Sequence, residues 1–266
     1  MSAIRFIYTT LLFSLISILW CACGEDSNLI SGSPSFTAEE PFSSNIGVIK
    51  HQRIRLAAVT GTIHMIGNAS TDIVSISGEK RVTATSTADA QEHLSDITIN
   101  IQDLGSEVFI STNQPSESGN RLYQVNYIIT YPDTLETEVG AVTGVVTIDS
   151  MNQNVSVNHV TGNIFLNGLS GNSSIVLVTG NIQGDVRIPI DGDLDWDVVT
   201  GNINLDIPVN TSTLFTANVT TGNINVANLS LQNLSGTPTF LSGTLGDGQG
   251  NITLTVITGN INVTGI

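Results

Sequence analysis

The sequence predicts an all-β protein: a single parallel, right-handed β-solenoid, or β-helix, with a β-rich cap at its N-terminal end. Three observations predict it. Between residues 143 and 259 a Thr-Gly pair recurs six times, at Thr143-Gly144, Thr161-Gly162, Thr179-Gly180, Thr200-Gly201, Thr221-Gly222 and Thr258-Gly259, in steps of 18, 18, 21, 21 and 37 residues. A period near 20 residues is one coil per repeat. The hydrophobic pattern changes phase at every pair. The composition suits a narrow coil, with aromatic residues at only 5% and charged residues at 12%.

The phase change fixes the geometry of each repeat. Four residues before the Thr stand Val139, Val157, Ile175, Trp196, Ala217 and Leu254, and two before it Ala141, His159, Leu177, Val198, Val219 and Val256. Three after it stand Val146, Ile164, Ile182, Ile203, Ile224 and Ile261, and five after it Ile148, Leu166, Gly184, Leu205, Val226 and Val263. Each flank alternates with period two, so each is a half-buried strand. Inward positions are even before the Thr and odd after it. A straight strand cannot change faces, so the chain turns a corner there. Gly tolerates the corner because it lacks Cβ. The next residue is Asn163, Asn181, Asn202, Asn223 or Asn260, with Val145 the exception. Stacked Asn side chains can pass amide hydrogen bonds from coil to coil. A meander of antiparallel hairpins is the alternative, but it would show Asn-Gly or Asp-Gly turns between strands of varying length.

Taken in order, residues 1–22 read as a lipoprotein signal peptide. Arg5 precedes an apolar run from Phe6 to Trp20, too short for a membrane span. Cys23 follows the small residue Ala22 and is the expected lipid attachment site; an ordinary signal peptide or an uncleaved anchor is the alternative. No Cys follows Cys23, so no disulfide competes for it. Residues 23–49, rich in Ser, Gly, Pro and acids, read as a flexible tether. Residues 50–140 read as first coils and cap, with a corner at Thr60-Gly61, a short helix near Ala88–Leu94 capped by Thr87, and a hairpin around Asp103-Leu104-Gly105. Residues 141–266 are the regular coils. The final 37-residue step reads as two coils with one pair lost, Ser242-Gly243 standing at the degenerate corner. The sequence stops at Ile266 soon after a full corner, without the Pro or Lys that blunts an edge, which predicts end-to-end self-association.

The formal net charge is −15, and Arg187 is the sole Lys or Arg within residues 143–266. That excludes nucleic acid, whose binding needs clustered cations, and electrostatic docking on anionic lipid.

Three stretches carry a family resemblance. They are the coil Val157-Asn-His-Val-Thr-Gly-Asn-Ile-Phe-Leu166, the strand Tyr123-Gln-Val-Asn-Tyr-Ile-Ile-Thr-Tyr-Pro132, and the closing repeat Gly246-Asp-Gly-Gln-Gly-Asn-Ile-Thr-Leu-Thr-Val-Ile-Thr-Gly-Asn260. The chain resembles the bacterial putative-adhesin family of repeated Thr-Gly-Asn-Ile β-solenoid proteins over about residues 50–266. The resemblance implies a β-solenoid in the cell envelope and assigns no catalytic residues.

Candidate chemistry is sparse. Asp191, Asp193, Asp195 and Asp197 are a weak Ca²⁺ candidate, because Trp196 and Asn202 stand where an EF-hand loop needs Gly and Glu. On a strand, the Asp side chains share one face while Leu194, Trp196 and Val198 share the other. His51, His64, His93 and His159 are not at metal-ligand spacing, and His159 occupies an inward position. No catalytic constellation and no cofactor motif is present. The expectation is therefore a non-enzymatic surface lipoprotein, lipid-anchored at the outer membrane or cell surface. It would bind a glycan, matrix or extracellular protein partner through a polar solenoid wall. A purely structural envelope protein is the rival; an ice-binding or polysaccharide-processing β-helix fits less well.

Overall fold

The computed structural model describes residues 35–116 and 118–266. The chain is all-β, and its strands form one open sheet that does not close into a barrel.

Each regular coil contributes two strand segments that meet at the corner. The first coil is β2 (Arg53–Ala57) and β3 (Thr60–Gly67). The next two are single bent strands, β8 (Glu136–Asp149) and β9 (Val155–Leu169). Then come β10 (Ser173–Thr179) with β11 (Ile182–Val186) and β12 (Asp193–Thr200) with β13 (Ile203–Ile207). The last two coils are β14 (Thr213–Thr221) with β15 (Ile224–Ala227) and β18 (Gly250–Thr258) with β19 (Ile261–Gly265). Adjacent coils pair in parallel with each corner Thr opposite the next, as in Thr143↔Thr161, Thr161↔Thr179 and Thr179↔Thr200. The phase change is met: Val139, Val157, Ile175, Trp196, Ile164, Ile182 and Ile203 are all fully buried. Ile224 and Val226 are only half-buried, because β15 pairs on one side alone, with β19.

The stacking order departs from the sequence order. β18 lies between β12 and β14, with Trp196↔Leu254 on one side and Ala217↔Leu254 on the other. β19 likewise lies between β13 and β15. The 37-residue step therefore hides no lost corner. Ser242-Gly243 lies in an antiparallel hairpin, β16 (Gln232–Thr237) with β17 (Phe240–Leu245), and β17 runs antiparallel to β14. The expected open edge before Ile266 is also corrected, since β19 has a partner on each side. The physical reason is that the corner motif fits any neighbouring coil equally well, so spacing alone does not set the order.

At the other end both segments of the first coil are paired again. β6 (Glu107–Asn113) runs parallel to β2, and β7 (Leu122–Tyr131) runs parallel to β3. β5 (Thr98–Asp103) forms the expected hairpin with β6. β4 (Ile73–Ala84) lies antiparallel to β7. The helix α1 (Thr87–Glu92) is capped by Ser86, whose Oγ accepts from the Asp89 N–H, rather than by Thr87.

The expected tether over 23–49 is corrected for its second half. Phe36–Gly47 form β1, paired with β4 along its whole length. Ser, Pro and acids concealed it, but these residues suit an edge. Pro41 needs no ladder donor there, and Glu39 and Glu40 pair with Arg81 and Lys80. Phe42 packs edge-on to Tyr127, ring centres 5.4 Å apart. Residues 23–34 lie outside the described residues.

Candidate functional site: corner column and polar wall

The repeat residues build one continuous feature. Gly61, Gly144, Gly162, Gly180, Gly201, Gly222 and Gly259 all have φ between +136° and +143°. They stack so tightly that a Cβ on Gly201 would lie 1.6 Å from the Gly180 carbonyl oxygen. No L side chain fits there or adopts that φ without strain. Beside the column runs the Asn ladder. The Asn163 Oδ1 accepts from both the backbone and side-chain N–H of Asn181; Asn181 serves Asn202 in the same way, and Asn202 serves Asn260. Asn260 Oδ1 then accepts from the Asn223 backbone N–H. At the other end Asn126 of β7 continues the pattern by accepting from the Thr62 N–H. The predicted corner residues thus come together, but as scaffold. Their function is to hold the walls in register.

The wall before the corner carries an open groove of about 760 Å³. Its rows have fixed distances from the corner. Seven residues before six of the corner Thr stand Arg53, Glu136, Asn154, Asn172, Asp193 and Asn251, and two further on stand Arg55, Glu138, Ser156, Ser174, Asp195 and Thr253; the Thr221 coil has Leu214 and Thr216 there, outside the groove. In the rows of those six coils, all but Arg55 line the groove. Several neighbours in the first row are joined: Arg53 donates to Glu136, Asn154 Nδ2 donates to the other Glu136 oxygen, and Asn251 Nδ2 donates to Asp193 at 2.8 Å. The hydrogen bond to Glu136 raises the Arg53 pKa above its ordinary value. Sequence reasoning missed this groove, although counting back from each corner Thr would have found its rows.

The remaining candidates fall in different places. Asp193, Asp195 and Asp197 alternate along β12 with the buried Leu194, Trp196 and Val198, and Asp191 lies in the turn before it. Among the described residues no three His, Cys, Asp or Glu side chains gather as metal ligands. His51, His64 and His93 each pair with a carboxylate, those of Asp103, Asp149 and Asp96. His159 is buried, its Nε2 3.0 Å from the Gly144 oxygen and its Nδ1 3.2 Å from the Ala141 oxygen. Burial lowers its pKa despite those two carbonyls. Burial also pushes the Tyr127 hydroxyl up to about 12. Cys23 and the apolar segment before it lie outside the described residues, and among those residues no helix is long and apolar enough to cross a membrane.

Three solved structures are similar at low identity. One is a "putative cell adhesion protein" from Clostridium sporogenes, 13% identical, with 86% of this chain and 100% of that one covered at a TM-score of 0.46. A "putative adhesin" from Bacteroides fragilis is 12% identical over 84% and 97%, TM-score 0.27. A "putative lipid binding protein" from Parabacteroides distasonis is 11% identical over 84% and 96%, TM-score 0.22. No curated protein matches. The family described as Toastrack DUF4097 matches residues 49–264. That match takes in the first coil, the glycine column and the last strand, and the chain belongs to the Toastrack DUF4097 family.

Proposed function

We propose that this chain is a non-enzymatic envelope lipoprotein, a right-handed solenoid capped by residues 50–140, that binds an extended glycan along its polar wall. The groove carries this reading. Its rows repeat every ~4.8 Å along the stack and present amides, hydroxyls and carboxylates, the groups that hydrogen-bond sugar hydroxyls. An open wall without aromatic or Arg anchors along most of its length favours shallow contacts, weak per site and strengthened by many copies on one membrane. Lipid attachment at Cys23 would supply that density at the outer membrane or cell surface. A matrix or cell-surface protein is the neighbouring reading; a purely structural role is the rival.

The test is multivalent display of residues 24–266 on beads against glycan arrays, matrix proteins and cells. Binding that falls at least tenfold with Asn172→Arg, in the middle of the groove, is the expected result. Binding to nothing, or binding indifferent to Asn172→Arg, contradicts the reading. The anchor is tested separately: mass spectrometry of membrane fractions should find acyl chains on Cys23, and Cys23→Ala should release the protein.

A further inference from the structure

We propose that the coil Gly250–Gly265 exchanges between two copies of this chain, each copy's coil filling the slot between the other's β12–β13 and β14–β15. The inference is independent of the glycan reading.

The slot exists because the chain skips a position. After Ile207 it passes over one coil's width, lays down β14–β15, adds the β16–β17 hairpin, and only then returns to fill the gap. The filling segment is paired on both sides of both walls, and its register is residue for residue: Asp193↔Asn251 to Thr200↔Thr258, and Ile203↔Ile261 to Ile207↔Gly265. A segment from a second copy would make those same pairs, so exchange leaves the contact energy unchanged and depends on the hinge and on concentration.

The slot also tolerates losing its occupant. Thr200-Gly201 and Thr221-Gly222 are 21 residues apart, the same step as between Thr179 and Thr200. Both corners have the same backbone geometry, φ +143° at Gly201 and +140° at Gly222. With the last coil out, β14–β15 can close on β12–β13 in the register used everywhere else in the stack. The open state therefore keeps most of its ladders, which makes release of the last coil a local event rather than global unfolding.

A hinge lies where exchange needs one. Gly246 and Gly248 hold φ of +54° and +69°, and Gly250 follows. The turn is held by a few local bonds, Asp247 N–H to Ser212 Oγ, Gly248 N–H to the Leu245 oxygen and Gly250 N–H to the Ser212 oxygen. Extending residues 246–249 would carry the coil out by ~13 Å, while β16–β17 stays on β14.

The test uses the full chain with Cys21→Ser and Cys23→Ser, carrying either Asp195→Cys or Thr253→Cys, which are register partners on the outer wall. The two single variants are mixed, held at temperatures that leave the far-ultraviolet circular dichroism unchanged, then oxidised. Exchange predicts a disulfide-linked heterodimer that accumulates with time. A mixture of Glu138→Cys and Thr253→Cys, separated by β9, β10 and β12, should give none. A heterodimer yield no greater than in that control overturns the proposal. Should either cysteine disturb the wall, deletion of residues 247–249 gives a second reading by sedimentation. Doubling from one-chain to two-chain mass supports exchange, and a folded one-chain species overturns it.

Discussion

The indole of Trp196 fills the space above Gly184: a Cβ placed on Gly184 would lie 2.3 Å from the ring's Cη2. Gly184 holds an inward position that Leu166 and Leu205 hold in the adjacent coils. The missing side chain there is matched by a large one on the neighbouring coil, whose Nε1 donates to Ser173 Oγ at 2.9 Å. Trp196→Ala should cost about 3–5 kcal/mol through the cavity left behind. Gly184→Ala should cost about 1–3 kcal/mol by overpacking. The double variant should cost less than the sum, a coupling that denaturant titration of the four proteins measures directly.

The glycine column makes a second prediction. Gly201→Ala adds both a positive-φ penalty and a backbone clash with Gly180. The expected loss is roughly 2–4 kcal/mol in chemical denaturation. Gly105 is a control: its φ is +82°, but nothing lies within 4 Å of its added Cβ. Ala there should cost only the backbone strain.

The Asn ladder is interrupted at Val145, between Thr62 and Asn163. Val145→Asn should extend it and raise stability by about 0.5–1 kcal/mol, while Asn202→Ala, which orphans two donors on Asn260, should cost about 1–2 kcal/mol. A rise in midpoint for the first and a fall for the second is the signature. Equal falls would mean that the ladder is incidental to the corner.

His159 sets a pH dependence. Its folded pKa lies below the unfolded value of about 6.5, because burial disfavours the charged ring. The unfolded chain therefore binds more protons in this range, and stability rises with pH. The contribution is complete above about pH 6.5 and is lost as pH falls through the folded value. His159→Leu should flatten the curve on the acid side of pH 6.5, read from urea midpoints between pH 5 and 7.5.

Much of the fold was legible because the corner imposes two simultaneous demands. Gly must accept positive φ, and the inward positions must change parity, so Val139 through Val263 could be assigned a face before any coordinates. Three things were not legible. β1 is an edge strand whose Ser, Pro and acids resemble a linker. The place of Gly250–Gly265 in the stack was hidden because Thr258-Gly259-Asn260-Ile261 fits beside any other corner. The groove went unseen because its residues share no chemical type. Arg53, Glu136, Asn172 and Asp193 are related by distance from the corner, not by identity.

The Asp193–Asn251 contact, the continuity of the groove and the exchange of the last coil all rest on one placement: β18 between β12 and β14. Two cysteine pairs, in the Cys21→Ser, Cys23→Ser background and at dilution that favours intrachain closure, decide it. Asp197 and Thr255 are register partners on adjacent strands, while Asp197 and Asn218 are separated by β18. Adjacent strands lie ~4.8 Å apart, within disulfide reach, and two steps exceed the limit of about 7 Å between Cα atoms. Asp197→Cys with Thr255→Cys should close a disulfide within one chain, and Asp197→Cys with Asn218→Cys should not. Closure of the second pair and failure of the first would mean that the coils stack in sequence order, contrary to the structure.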